Sequence, residues 1–156
     1  MVVTDPERRA ALGELWRSGA ASYLQRRAAA AAADERITRL ADAVRYLADH
    51  IHQVPVQVIP CVEGRTDHAP VVVQASRWGS IIPAAWSFML AARARGLGTV
   101  WTTFHLRRER EAAEVLGIPF DEVMQAALIP VAYSVGTEFR PAARNPPDTM
   151  VHRDRW

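Results

Sequence analysis

The stretch LAARARGLGTVWTT, residues 90–103, changes abruptly from helix-forming to strand-forming residues. Its alanines and arginines favour a helix, and Gly96 is a typical residue just past a helix end. The β-branched and aromatic residues that follow the glycines predict a strand, which finishes on Trp101, Thr102 and Thr103. Two explanations of this turn stay open from the residues alone: architecture, or a ligand that lies against the backbone.

Helix and strand patterns alternate on both sides of this turn. Apolar periodicity predicts helices at 4–19, 34–51, 80–95 and 106–117, and β-branched runs predict strands at 54–62, 97–104 and 122–134. Residues 71–74, with the sequence VVVQ, are either a further short strand or an extended segment. In this order the elements predict a layered α/β arrangement, with helices over a mixed sheet.

Capping residues and prolines mark the predicted element ends. The first helix begins either with a capping box of Thr4 and Glu7 or with Asp5 as the cap, and it is expected to fade near Ser18 and Gly19.

The helix before the turn has its own predicted boundaries. Ser80 is predicted to cap it, with Pro83 in its first turn. It is apolar nearly all round over 81–92, which predicts burial. In the last strand Pro130 removes a ladder donor, so we expect a bulge or a one-sided pairing there.

Length and composition favour one soluble globular domain over residues 1–156, with 140–156 as an extended, proline-rich arm. The longest uncharged run is too short and too interrupted for a transmembrane span, and no secretory signal is recognisable. Cys61 is the single cysteine, which indicates a cytoplasmic setting. The net charge is +2 and the arginines are interleaved with acids, so no nucleic-acid partner is expected.

Several chemical motifs can be set aside. Gly96 and Gly98 lack the third glycine and the strand-turn-helix order of a dinucleotide fingerprint. His105 and Glu109 are spaced as a surface helix pair. No metal site is predicted, because the side chains that could ligate one match no zinc spacing: His50, His52, Cys61 and His68. Arg144, in the proline-rich arm, is either an ordinary surface arginine or a phosphate ligand.

Three stretches, in this order, resemble the nitroreductase family, and most closely its actinobacterial members. They are WGSIIPAAWSFMLAARARGLGTVWTT at 78–103, EREAAEVLGIP at 109–119 and ALIPVAYSVGTEFRPAARNPPDTMVHRDRW at 127–156. The resemblance implies an α+β, three-layer α/β/α fold and a homodimer with flavin mononucleotide (FMN) at its interface. It also implies hydride transfer from NAD(P)H through the flavin to a nitroaromatic, quinone or similar acceptor.

The same resemblance implies which residues hold the cofactor. Trp101, Thr102 and Thr103 are expected along the isoalloxazine edge of the flavin, Ser80 beside it, and Arg144 on the FMN phosphate. No catalytic side chain is implied, because the flavin carries the chemistry.

Family members have some tens of residues before the point that matches Met1, including segments that grip the phosphate and cover the flavin. The resemblance therefore implies an N-terminally shortened chain: a genuine short form, a misassigned start or a fragment. The alternative functions are a flavin-binding or sequestering protein without turnover, and an inactive truncated remnant that folds with a partner.

Overall fold

The structure, a computed structural model, describes residues 1–30, 35–136, 138–139, 144 and 146–156, without the side chains of 28–30 and 36. Its α-helices are α1 (Pro6–Ala30), α2 (Glu35–His50), α3 (Val71–Arg93) and α4 (Glu109–Leu116). Its strands are β1 (Val2–Val3), β2 (Val56–Val58), β3 (Cys61–Glu63), β4 (Leu97–Thr99), β5 (Val123–Gln125) and β6 (Ile129–Tyr133). Short 3-10 helices cover Ile51–Gln53, Phe104–Arg108 and Pro147–Thr149.

The strands form a four-stranded sheet in the order β1-β2-β6-β4 and a two-stranded sheet of β3 and β5. Every pairing among the described strands is antiparallel, which differs from the expected mixed sheet. A parallel pair requires two neighbouring strands to run the same way, and the described connections bring neighbours together in opposite directions.

Two runs predicted as single long strands are each divided between the two sheets. Residues 54–62 form β2 and β3, and residues 122–134 form β5 and β6. The two runs remain hydrogen-bonded to each other where they pass from one sheet to the other, because the Ala126 amide donates to the Pro60 carbonyl at 2.8 Å. An apolar run shows that a segment is buried, but it does not show where the segment changes sheets.

Pro130 interrupts the ladder between β4 and β6. The pairing ends at Thr99, and the register places Val100 opposite Pro130, which has no N–H to donate. Pairing resumes at Thr102, whose amide and carbonyl bond Leu128 at 3.1 and 2.9 Å. On its other side Pro130 keeps its place in the pairing with β2, so the predicted one-sided pairing is confirmed.

Helices cover both faces of the four-stranded sheet, which confirms the α+β, three-layer α/β/α arrangement. On one face α3 packs through Ala85 and Met89 against Ile129 and Val131. The other face carries the larger core, which joins α1, α2 and α4 to the strands and includes Val3, Leu12, Trp16, Ala48, Ile59, Ala112 and Leu128.

Helix α1 begins with Asp5 as its cap, which is one of the two predicted starts, and it ends later than predicted. Asp5 is the cap, because its Oδ1 accepts the Arg8 amide at 2.9 Å, and Pro6 is the first helical residue. The expected end near Gly19 is wrong, since the helix continues through it. A Cβ at Gly19 would collide with the Phe104 carbonyl oxygen and lie 2.8 Å from its carbon. This glycine permits close approach and does not end the helix.

Helix α3 begins a full two turns before its predicted start. Residues 71–74, expected to be extended, form its first turn, and the amide of Gln74 bonds the Pro70 carbonyl at 3.1 Å. Ser80 and Pro83 therefore lie in the helix interior, so the predicted cap at Ser80 is wrong. Three consecutive valines favour a strand locally, but tertiary packing overrides this modest preference.

The predicted burial of α3 is also wrong within the described chain. Only Ala85 and Ala92 of this helix are buried. Its large side chains stay open to solvent, with Trp86 56% exposed, and Ile82, Phe88 and Leu90 are exposed as well. The sheet covers one stripe of the helix and the other faces have no cover in the described residues. No helix in the described part of the chain is long and apolar enough to cross a membrane.

The predicted C-terminal arm is partly described. Residues 146–156 are exposed and contain the 3-10 helix Pro147–Thr149, while 140–143 and 145 lie outside the described residues.

Candidate functional site

The turn between α3 and β4 is explained by its backbone. Helix α3 ends at Arg93, and Gly96 follows with φ at +77°, in the left-handed region that glycine adopts without strain. This confirms Gly96 as the stop residue and makes the turn itself architectural.

Thr102 lies after this turn and has its polar groups engaged inside the protein. Its hydroxyl accepts a hydrogen bond from Trp16 Nε1 at 2.9 Å and donates to the Leu128 carbonyl at 2.6 Å. Its amide and carbonyl also bond Leu128, and only 8% of the residue is exposed. Thr102 therefore joins α1 to the sheet. The hydroxyl, N–H and C=O groups of Thr102, which were expected to face a flavin, are therefore already hydrogen-bonded within the protein.

Trp101 presents its backbone in the opposite direction. Backbone groups alternate in direction along an antiparallel strand. Because Thr102 bonds β6, the N–H and C=O groups of Thr99 and Trp101 point away from β6, and β4 is the outermost of the described strands on that side. The Trp101 side chain packs with the core that α3 covers. The packing of the Trp101 side chain thus holds the outward-facing backbone groups of this residue in place.

Thr103 is exposed and immediately precedes the 3-10 helix Phe104–Arg108. Its carbonyl accepts the Leu106 amide at 3.0 Å, while its side chain makes no capping bond. The hydroxyl of Thr103 is therefore available to a ligand, unlike that of Thr102.

Ser80 and Arg144 are distant in sequence from residues 101–103, and both are exposed on the surface of the protein. Ser80 is exposed in the middle of α3. Arg144 is exposed in the C-terminal segment, where its neighbours 141–143 and 145 lie outside the described residues. The structure thus joins Trp101 to Thr103 as one edge, and the roles of Ser80 and Arg144 beside that edge stay predictions.

A cavity of about 320 Å³ opens on the other side of this segment, between α1 and α2. Aromatic rings form its inner part: Phe104 lies 5.1 Å from Trp16 and 5.2 Å from Tyr23 between ring centroids. The sequence analysis missed Trp16, Tyr23 and Phe104 as site residues. Trp16 has the spacing of a core residue in the first predicted helix, Tyr23 lies beyond the predicted end of that helix, and Phe104 ends a predicted strand, so no sequence signal joins the three. The lining is completed by Leu40, Ala43, Val44, Leu47, Val100, Trp101, Thr102 and Thr103.

His105 is buried beneath the same segment. It is 0% exposed and neither ring nitrogen has a hydrogen-bond partner among the described residues. Burial lowers the pKa of His105 to about 4, because the charged imidazolium loses its hydration there. The expected surface pair with Glu109 is wrong. His105 lies in a 3-10 helix, and Glu109 instead bonds Arg65 at 2.8 Å and the Gln125 amide at 3.0 Å.

Arg65 ties the loop after β3 to α4. Besides Glu109 it bonds Asp67 at 2.6 Å and the Phe120 carbonyl at 2.9 Å, and it lies over the Phe120 ring at 4.0 Å. The side chains of Arg65 and Glu109 are only 18% and 16% exposed. All of these contacts are internal, so this cluster is a structural one.

Comparison with known proteins identifies the family. The sequence model of the nitroreductase family matches residues 1–133. The chain belongs to the nitroreductase family. No curated protein sequence matches it. Membership supports a flavin-dependent oxidoreductase as the broad class of this protein.

Solved structures with the nitroreductase fold resemble the chain over its whole length. An oxidised iodotyrosine deiodinase bound to FMN and 3-iodo-L-tyrosine has a TM-score of 0.67 at 16% identity, covering 100% of this chain and 74% of that one. A BluB-like flavoprotein from Clostridium difficile 630 has a TM-score of 0.64 at 13% identity, covering 99% and 78%. NfrA2 from B. megaterium has a TM-score of 0.63 at 20% identity, covering 100% and 56%. At these identities the likeness establishes the fold.

Proposed function

We propose that this nitroreductase-family protein is an FMN-dependent NAD(P)H oxidoreductase that passes hydride to a nitroaromatic, quinone or similar acceptor. The observation that carries the proposal is the open backbone edge at Trp101 with the exposed hydroxyl of Thr103 beside it, held in place by Thr102 and bordered by an aromatic cavity. A flat cofactor ring needs such an edge, with donors and acceptors fixed along one side and room on the other.

The residues at this edge suit FMN in the chemistry of their groups. The outward N–H and C=O of Trp101 and the hydroxyl of Thr103 suit ring nitrogens and oxygens, Ser80 offers a further hydroxyl, and a guanidinium such as Arg144 suits a phosphate. Thr102 has the different task of positioning its two neighbours. FMN, when bound, supplies the hydride-accepting and hydride-donating ring, while the chain binds and orients it.

A second copy of the chain is part of the proposal. Helix α3 exposes large apolar side chains, such as Trp86 and Phe88, and the unpaired edge of β4 lies beside this helix. We expect a homodimer that covers this surface and encloses the flavin. The cytoplasm is the proposed compartment, since the half-buried Cys61 is the only cysteine.

The testing experiment is the visible absorption spectrum of the purified full chain after FMN is added and the excess removed. A retained flavin band that NADPH or NADH bleaches under anaerobic conditions, and that a quinone restores, supports the oxidoreductase. A retained band that neither nucleotide bleaches points to the sequestering protein. A folded protein that retains no flavin contradicts both.

Variants at the site separate binding from folding. Arg144→Ala is expected to weaken FMN binding at least tenfold, while Arg153→Ala, in the same exposed C-terminal segment, leaves it unchanged. Thr103→Ala is expected to lower the FMN affinity or shift the flavin spectrum, with no change in the thermal midpoint. Equal FMN affinity in the Arg144 and Arg153 variants would remove Arg144 from the site.

A further inference from the structure

Arginines gather where the last turns of α1 meet the 3-10 helix beyond β4. Arg107 of this 3-10 helix donates a hydrogen bond to the Ser22 hydroxyl of α1, so its guanidinium lies one helical turn before Arg26. Arg27 comes next, and its guanidinium lies 5.4 Å from the centre of the Tyr23 ring. Ser22 and Arg27 bound a sector of only about 140° around the helix, at 3.6 residues per turn, and Arg26 lies within it. Arg26, Arg27 and Arg107 therefore form an arginine cluster on one side of α1.

The arginine cluster has no acidic partner in the described part of the chain. Between Glu14 and Asp34 the sequence contains no aspartate or glutamate. On one side of the cluster Glu14 pairs with Arg17. On the other side Glu111 pairs with Arg108 at 2.7 Å. Because neighbouring cations repel one another, an anion that enters the cluster is attracted by all three guanidinium groups at once.

The surroundings of the arginine cluster indicate which anion it suits. Tyr23 and Phe104, both half-buried, pack with their ring centroids 5.2 Å apart next to the cluster. Arg107 follows Thr103 by four residues, and the 3-10 rise of about 2 Å per residue places its backbone roughly 8 Å from that residue. A phosphomonoester suits several guanidinium groups, because its three oxygens accept from all of them, and a base suits the neighbouring rings. The cluster therefore suits a nucleotide phosphate close to the proposed flavin edge.

We propose that Arg26, Arg27 and Arg107 bind the 2′-phosphate of NADPH, and that this arginine cluster makes NADPH the preferred reductant over NADH. The proposal rests on the proposed function, because only a hydride-accepting flavin at the edge beside Thr103 requires a nicotinamide nucleotide there. NADH carries a hydroxyl where NADPH carries a phosphomonoester of about −1.5 to −2 charge at pH 7. Ser22 is a positioning residue, since its hydroxyl holds the Arg107 guanidinium against α1.

The test compares 2′,5′-ADP with 5′-AMP, two probes that differ only in the 2′-phosphate, titrated by calorimetry into the full chain with and without FMN. We expect 2′,5′-ADP to bind roughly tenfold more tightly. Arg26→Gln and Arg107→Gln should each reduce this preference by about threefold or more, with the 5′-AMP affinity unchanged, because each removes charge-assisted bonds to the phosphate. The matched control, Arg8→Gln, removes an exposed arginine from the other end of α1 and leaves the preference unchanged.

Ser22→Ala tests the geometry of the arginine cluster at constant charge, and we expect it to lower the preference for 2′,5′-ADP by about twofold. In the FMN-loaded chain, Arg26→Gln and Arg107→Gln should raise the KM for NADPH and leave that for NADH unchanged. The proposal is overturned if 2′,5′-ADP binds no more tightly than 5′-AMP, if inorganic phosphate binds as tightly as 2′,5′-ADP, or if both variants match the Arg8→Gln control. A chain that retains no FMN refutes the proposed function instead, and the titrations without FMN still decide whether the cluster binds the 2′-phosphate.

Discussion

Replacing Thr102 by valine tests whether this residue is a structural junction. Valine keeps the branched shape of threonine and removes only the hydroxyl. That hydroxyl joins three elements, because it accepts from Trp16 on α1 and donates to Leu128 beside β6. Thr102→Ser is the matched variant, since it keeps the hydroxyl and removes a methyl group.

The expected cost follows from what each partner loses. Trp16 is 1% exposed, so its indole N–H has no access to water once its acceptor is gone, which costs about 1–3 kcal/mol. The Leu128 carbonyl still accepts the Thr102 amide at 3.1 Å, so the loss of its second donor adds roughly 0.5 kcal/mol. We expect Thr102→Val to lower the free energy of unfolding by about 2–3 kcal/mol, and Thr102→Ser by about 1 kcal/mol.

Urea unfolding followed by circular dichroism measures both variants, and a loss of about 2–3 kcal/mol corresponds to a midpoint lower by roughly 1 M. Trp16→Phe removes the other partner, so the double variant with Thr102→Val should be about 1–2 kcal/mol more stable than the sum of the single effects predicts. Equal midpoints for the valine and serine variants, or strictly additive effects in the cycle, would refute the junction.

Three other substitutions address burial, close packing and charge. Because His105 stays neutral with a pKa of about 4 while an unfolded histidine titrates near 6.5, lowering the pH from 6.5 to 4 should remove roughly 3 kcal/mol of stability. His105→Leu should abolish this loss, and an unchanged pH profile by urea unfolding would contradict it. Gly19→Ala should destabilise by about 1–3 kcal/mol by overpacking, whereas Gly79→Ala, which has open space, should be neutral or stabilising in thermal melts. Arg65→Met should cost about 2 kcal/mol, because it leaves a mostly buried carboxylate unpaired, while Arg45→Met in an exposed pair should cost under about 0.5 kcal/mol in the same melts.

The sequence predicts those parts of the fold that depend on local chemistry. Helix α2 follows from its apolar spacing, and the stops at Gly96 and Gly117 follow from glycine, since both adopt positive φ. The one-sided pairing at Pro130 follows from the missing N–H. Each of these features is determined by residues within a few positions of one another.

Features that depend on distant partners escape the sequence. Gly19 resembles a helix end until Phe104 is seen to pack against it. The valines at 71–74 resemble a strand until α3 is seen to include them. At the candidate site the sequence selects the right segment, but only the register with β6 shows that Thr102 faces inward while Trp101 faces the open edge.

Pro130 leaves a gap in the hydrogen bonding between β4 and β6. The pairing of these strands therefore does not depend on the residues that lie opposite the gap. Val100 and Trp101 lie between two residues whose backbones face β6, Gly98 and Thr102, yet they contribute no ladder bonds of their own to β6. Substitutions at these two positions therefore change what the edge offers to a ligand without breaking strand pairing. A single proline thus makes Val100 a position that an engineer can vary for new ligand contacts, whereas a substitution of Trp101 would also remove packing from the core that α3 covers.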